Sequence, residues 1–252
     1  MKAVAVKETN AVSTDVASEW GNDQVLGQDI VIAKILPMQP SSDLVTDGKA
    51  TIGEFRDSLS GVKLGSIVEP LDIIPFHIEK FWDILVKEGD QFEWDSSVPL
   101  IENPTLQGYN DNLPWSDKVD GVEIKRVRRM NFYVMIPSEI AAGTAIPYIL
   151  SFKSTSFREG KKLFTQMYLR NKKANLAPPA YSFKLSGTKE KNDKGTFIVP
   201  TVEMGRASTA AEIADCLTWY KLIKGGGVKV DDSDLKKDAA NVVADDTGAG
   251  NF

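Results

Sequence analysis

The sequence predicts a mainly β protein with two helices, arranged as an OB-fold-like Greek-key barrel with elaborations and with disordered termini. Three observations predict this class. Apolar residues alternate with polar ones in several short segments, as in strands with one buried face. A helix-like segment separates these strands from a final two-strand hairpin, which is the order of an OB-fold. Small, polar segments without a sustained period occupy both ends of the chain.

The N-terminal part predicts few regular elements. Residues 1 to about 25 have no period, so we expect a disordered arm. Two apolar segments follow, Ile30–Leu36 and Ser66–Ile78, and the second alternates as a strand does, with its prolines at an edge or a bulge. Phe81–Lys87 fits a short helix or a strand, and residues 102–120 predict a loop. This pattern suits a part of the barrel and a separate subdomain equally.

The C-terminal part carries the stronger core pattern. Ser156 can cap a helix that Pro178 stops, and a second helix begins near Thr209 and ends at three glycines. The expected elements, in order, are a strand over 122–136 with a bulge near Arg128 and Arg129, a strand over 146–154, a helix over 156–175, hairpin strands over 181–188 and 196–204, and a helix over 209–224. The predicted division is an arm at 1–25, an OB-like nucleic-acid-binding domain at 26–227 and a disordered acidic tail at 228–252.

Charge is sorted along the chain. The formal net charge is −5, yet Lys125–Lys194 holds 15 lysines and arginines against four acids, so this segment carries +11 and the remainder −16. Aromatic residues are interleaved with the basic ones. Cations that follow phosphates, together with rings that stack on bases, are what a single-stranded nucleic-acid surface needs. The pattern therefore favours a nucleic-acid partner.

The densest basic cluster is Lys125–Arg129, which lies within a predicted strand. Residues alternate faces on a strand, so Arg126 and Arg128 would share one face, while Lys125 and Arg129 would lie on the other. The cluster also fits a solvated edge strand, where lysine and arginine discourage aggregation. Three further basic clusters within 70 residues favour the nucleic-acid interpretation.

A second basic group surrounds the junction between the predicted strand and helix. Lys161 and Lys162 fall in the first turns of that helix, where the helix dipole disfavours cations, and an anionic partner would offset this cost. Three rings next to basic or polar positions are candidates to stack on bases, although most strand aromatics are core residues. The predicted DNA-binding residues are Lys125, Arg126, Arg128, Arg129, Tyr133, Lys153, Phe157, Arg158, Lys161, Lys162, Tyr181 and Lys184.

The last residues, 228–252, hold six aspartates against three lysines and end in Phe252. An acidic segment of this kind can occupy its own protein's basic groove, and a terminal ring with its carboxylate can enter a basic-rimmed pocket on a partner. A solubilising tail without a partner is the alternative. The predicted partner-binding residues are Asp245, Asp246 and Phe252.

Signatures of catalysis are absent from the sequence. It holds no phosphate-binding loop of the GxxxxGK type and no HExxH zinc motif. The single Cys216 excludes an internal disulfide and a cysteine-rich zinc site, and the single His77 has no marked partner. No apolar run reaches 18 residues, and residues 1–24 do not resemble a signal peptide. We expect a non-enzymatic cytoplasmic protein without catalytic residues, metal, cofactor or membrane contact.

Residues 120–252 resemble a known family. A basic, aromatic core followed by an acidic tail with terminal Phe252 is similar to tailed-phage replicative single-stranded DNA-binding proteins. The segments Ile35–Gln39 and Arg129–Val134 also look like phage-type sequences of this sort. The end of the tail departs from the family pattern, because the last acids, Asp245 and Asp246, stand seven and six residues before Phe252 and not next to it. The resemblance implies an OB-fold, a role in phage DNA replication or recombination, and docking of replication proteins on the tail.

The leading hypothesis is therefore a single-stranded DNA-binding protein with little sequence preference, located in the host-cell cytoplasm if it is encoded by a phage. One alternative is a phage structural or assembly protein whose basic surface meets an acidic protein. Another is a nucleic-acid enzyme with a scattered carboxylate site. Acid pairs such as Asp90 and Glu93 could bind a metal, as any two carboxylates could.

Overall fold

Two long antiparallel strands form the centre of the molecule. The computed structural model describes residues 31–103, 105, 108–192, 195–225 and 229–230. Strand β5 (Leu71–Glu88) pairs with β8 (Val122–Met135) over most of their lengths. Phe81–Lys87 therefore belongs to β5, and the predicted choice between helix and strand is settled as strand. Register shifts in β5 follow Pro75, which lacks an N–H for the ladder, and Ile84.

Five strands follow the connectivity of an OB-fold. In chain order these are β5, β8, β9 (Tyr148–Lys153), β10 (Tyr181–Asn192) and β11 (Gly195–Ala207). Their order in the sheet is β11-β10-β5-β8-β9, so the first strand pairs with the second and the fourth. A helical segment connects the third strand to the fourth, as the OB order requires. The mainly β prediction is confirmed.

The sheet is open instead of closing into the predicted barrel. Among the described residues, no hydrogen-bonded ladder joins β9 to β11. The N-terminal strands β1 (Val31–Ile32) and β2 (Ile35–Pro37) run past β9, where the amide of Ile149 donates to the carbonyl of Ala33 at 2.9 Å. Beyond β2, the Gln39 side chain bonds both backbone groups of Ile198 on β11, at 2.9 and 2.8 Å. One side chain thus spans the gap that a ladder would otherwise close.

The main core lies inside this curved sheet, and a helix covers one end of it. Helix α3 (Phe157–Phe164) continues through a π-helical segment (Thr165–Arg170) into α4 (Asn171–Lys173), close to the predicted helix. Gly160 lets α3 approach β9, since a Cβ there would lie 2.8 Å from the Cβ of Phe152. Members of this core include Phe55, Phe132, Leu150, Phe152, Leu163, Met167, Phe183 and Val202.

The far ends of β5 and β8 extend beyond the OB-like core. There β6 (Gln91–Pro99) pairs with β5, and β7 (Ser116–Val119) pairs with β8. We call this four-stranded part, in the order β6-β5-β8-β7, the distal sheet. The sequence did not decide whether the residues before 120 belong to the barrel or to a separate subdomain. They contribute to both, because β5 is the first strand of the OB-like core and also supports the distal sheet.

The remaining elements are short, apart from the last helix. They are α1 (Asp43–Thr46), β3 (Glu54–Asp57), β4 (Lys63–Ser66), α2 (Pro137–Ala142), α5 (Ala210–Lys224) and β12 (Lys229–Val230). Lys229–Val230, at the start of the predicted tail, pairs in parallel with β1. The predicted arm at 1–25 and the tail beyond Val230 lie outside the described residues. No helix in the described ranges is long and apolar enough to cross a membrane.

Candidate nucleic-acid interface

On one face of β8, the predicted DNA-binding arginines hold a loop of the protein itself. Arg126 donates to the carbonyl of Pro114 at 3.1 Å and pairs with Asp117 at 3.3 Å. Arg128 donates to the carbonyl of Asp111, and its guanidinium lies 4.9 Å from the Trp82 ring centroid. These arginines therefore fix the loop before β7 against the distal sheet.

On the opposite face, two further cations of the cluster are buried. Arg129 is 1% exposed and bonds the Asp83 carboxylate at 2.9 and 3.1 Å and the Ser97 hydroxyl at 3.0 Å. The Lys125 ammonium lies 4.5 Å from the Phe92 ring centroid. The predicted alternation of faces is confirmed, but β8 is a central strand and not an edge. Its cations contact groups of the protein, because a buried charge must be compensated, and they do not line a groove.

Of the three candidate rings, one is buried and two are half-buried. Tyr133 is 3% exposed, and its hydroxyl donates to Glu79 at 2.8 Å, so it is a core residue. Phe157 and Tyr181 are half-buried against the main core. The Lys161 ammonium lies 5.3 Å from the Phe157 ring centroid, which places a cation next to a partly accessible ring. Phe157 therefore keeps the geometry of a stacking candidate.

The exposed cations gather where β9 leads into α3. Arg158, Lys161 and Lys162 are exposed on α3, and Lys153 at the end of β9 is half-buried. Lys162 pairs with Glu159 at 3.2 Å on the surface, an interaction that contributes little because water screens it. We call these four residues the junction surface. Lys184 lies apart from it on β10, where it is exposed and 3.6 Å from Asp72.

Further exposed cations lie outside the predicted set of DNA-binding residues. Lys172 and Lys173 lie at the end of the helical segment, where the helix dipole alone explains them. Lys189 and Lys191 are exposed at the far end of the β10–β11 hairpin. In an OB-fold the loop between the fourth and fifth strands contacts the ligand, so the predicted strand order could have identified this hairpin.

Helix α5 covers part of the face on which OB-folds bind oligonucleotides. That face belongs to the second and third strands, here β8 and β9. Cys216, Trp219 and Ile223 of α5 pack there against a core that includes Tyr133 and Ile149. Burial raises the pKa of the Cys216 thiol to about 12, so this cysteine is a packing residue and not a nucleophile.

The start of α5 is anchored by a cap and an ion pair. The Thr209 hydroxyl accepts from the Glu212 amide, and the Glu212 carboxylate accepts from the Thr209 amide at 2.7 Å. Arg206 of β11 donates to the same carboxylate at 2.8 Å. Hydrogen bonds from Arg206, with a smaller contribution from the Thr209 amide, lower the pKa of Glu212 to about 2 despite its burial. The covering helix is thus fixed to the edge strand.

The described residues hold no group of three histidines, cysteines or acids placed to bind a metal ion. Neither the curated proteins nor the solved structures yielded a match to this chain. The model of the Pam3 phage gp34-like protein family matches residues 4–229, which is most of the sequence. This chain therefore belongs to the family of Pam3 phage gp34-like proteins.

Proposed function

We propose that this member of a phage protein family binds single-stranded DNA with little sequence preference, in replication or recombination. The observation that carries the proposal is the OB connectivity of β5, β8, β9, β10 and β11 with a helix between the third and fourth strands. OB-folds hold single strands by combining cations along a groove with rings that stack on bases.

The junction surface supplies the proposed phosphate contacts. No carboxylate among the described residues forms an ion pair with Arg158. The Lys161 ammonium lies next to the Phe157 ring and not next to an acid. Phosphates can therefore approach these cations without first displacing a buried ion pair. The exposed Lys189 and Lys191 extend the basic surface onto the hairpin that an OB-fold uses for its ligand.

The test compares two variants that remove the same charge. Arg158→Ala/Lys161→Ala removes two junction cations, and Lys49→Ala/Lys63→Ala removes two exposed lysines far from them in the chain. Fluorescence anisotropy with a labelled oligonucleotide should show salt-sensitive binding to single strands that the first variant weakens and the second leaves nearly unchanged. The log–log salt slope should flatten by about 0.7 for each phosphate that the first variant no longer neutralises. Preference for duplex DNA, or equal weakening in both variants, would contradict the proposal.

A nuclease would be recognised in the same assay. Cleavage of the oligonucleotide when magnesium is added would replace the proposed binding function with an enzymatic one.

A second candidate function, a phage structural or assembly protein, is favoured by two observations. The basic cluster on β8 is used internally, and α5 occupies part of the OB ligand face. Saturable binding to an acidic phage protein, without binding to single-stranded DNA, would favour this candidate.

A further inference from the structure

One face of the distal sheet presents apolar side chains to solvent. Directly opposed residues of an antiparallel pair lie on the same face. Val119 lies opposite Val122, and Val98 lies opposite Trp82. Trp82 is itself buried and lies opposite Arg128, which is on the same face of β8 as Val122. Val98, Val119 and Val122 are 36%, 45% and 43% exposed. The loop that Arg126 holds on this face adds Trp115, which is 37% exposed. We call this surface the distal face.

Exposed acids lie on the strands and the loop that carry the distal face, and we call them the acidic rim. Residues 87–123 contain nine acids and only two lysines, a formal charge of −7. Eight of these acids are exposed, and the ninth, Asp111, is half-buried. An exposed apolar face rimmed by charge is typical of a protein interaction site. The charge of this one requires a partner that combines basic and apolar groups.

The same chain presents a complementary surface. Residues 157–176 contain six lysines and arginines and a single acid, Glu159. Within them, Leu169 is 58% exposed and Leu176 is 43% exposed. Lys172 and Lys173 lie between these leucines and are exposed as well. We call Leu169–Leu176 the basic patch.

We propose that the distal face of one copy binds the basic patch of a second copy. The alternative of two distal faces packed together would place acidic rims opposite each other, which costs energy. Because the two proposed patches differ, the contact is heterologous, and each bound copy still offers one patch to a further copy. Copies would therefore add head to tail, into a ring if the rotation between them closes and into an open chain if it does not. This arrangement would make binding to a single strand of DNA cooperative. The contact between copies is measured without DNA, however, and the inference does not rest on the proposed function.

Complementary defects test the contact. Val119→Glu/Val122→Glu damages only the distal face, and Leu169→Glu/Lys173→Glu damages only the basic patch. In sedimentation velocity at low salt, the unaltered 27.7 kDa chain should form assemblies that grow with concentration, and each variant alone should stay a monomer. A mixture of the two variants should form a complex of twice the monomer mass and nothing larger, because each supplies the one intact patch that the other lacks.

The control is Val68→Glu, which adds a charge at a position that is 81% exposed between β4 and β5. It should assemble like the unaltered chain, and circular dichroism should show that all variants remain folded. A monomeric unaltered chain at every concentration would overturn the proposal. So would dimers of the basic-patch variant alone, since these would indicate contact between two distal faces. The distal-face variant should bind a short oligonucleotide like the unaltered chain, which keeps this test separate from that of DNA binding.

Discussion

Arg129 and Asp83 form a buried ion pair between the two longest strands. The Arg129 Nε lies 2.9 Å from one Asp83 oxygen and 3.1 Å from the other, across 46 residues of chain. Ser97 of β6 donates to Asp83 at 2.6 Å and accepts from Arg129 at 3.0 Å. Three strands of the distal sheet thus converge on one carboxylate. A basic residue that looks like a ligand contact in the sequence instead fixes the position of β6.

The first prediction concerns this ion pair. Arg129→Ala should lower the free energy of unfolding by about 3–5 kcal/mol, because it leaves the Asp83 charge buried and uncompensated. Urea denaturation measures the decrease. The double variant Arg129→Met/Asp83→Leu should recover much of it, since neither charge is then buried. A decrease below about 1 kcal/mol in the single variant would mean that water reaches Asp83.

The second prediction concerns the opening between β9 and β11. Gln39→Ala should cost about 1–3 kcal/mol, because the N–H and C=O of Ile198 are then without their side-chain partner. Hydrogen exchange at the Ile198 amide should accelerate together with this destabilisation. Gln91→Ala, at an exposed position at the start of β6, is the matched control and should change neither quantity. Unchanged exchange at Ile198 would show that Gln39 does not seal the edge of β11.

The sequence predicted where the strands and helices lie better than which charged side chains are buried. Period-two alternation located β8, β9 and the hairpin, and the apolar face with Pro178 at its end located the helical segment, because these patterns depend on neighbouring residues alone. The predicted cap at Ser156 is wrong, because its hydroxyl bonds the backbone of Lys153 instead of α3. The length of β5 was missed, since Pro75 and the acid at Asp83 interrupt the apolar pattern. In the structure a register shift accommodates Pro75, and the ion pair with Arg129 compensates the charge of Asp83. Neither feature is visible without the fold.

The residues of the candidate site also differ in how well the sequence predicted their exposure. Arg158, Lys161 and Lys162 are exposed because they lie on a helix with one buried face, and the sequence alone predicts this. Burial of Tyr133 depends on α5, which packs there from about 80 residues further along the chain. Sequence spacing carries no information on such a contact. The cover over β8 could therefore be found only in the structure.

The third prediction concerns pH. The folded-state pKa of Glu212 is lowered from 4.5 to about 2, so its ion pair stabilises the protein fully above pH 4.5 and is lost as pH falls toward 2. Glu212→Gln should remove that dependence, leaving stability at pH 7 lower and its decline between pH 4.5 and 3 shallower. Urea midpoints at pH 7, 4 and 3 measure this. Glu203→Gln, at an exposed position on β11, serves as control, and an identical decline in both variants would contradict the role of Glu212.

The last prediction concerns the tail. Residues 231–252 hold six aspartates and two lysines, and the segment Lys125–Lys194 carries +11. Acids of the same chain compete with phosphates for cations, and the competition is strongest at low salt, where screening is weak. Deleting residues 231–252 leaves the β1–β12 pairing intact and should tighten binding to single-stranded DNA at low salt more than at high salt. Phe252→Ala should leave DNA affinity unchanged and weaken any contact that replication proteins make with the tail. Equal affinities of the truncated and full-length proteins at low salt would show that the tail does not compete with DNA.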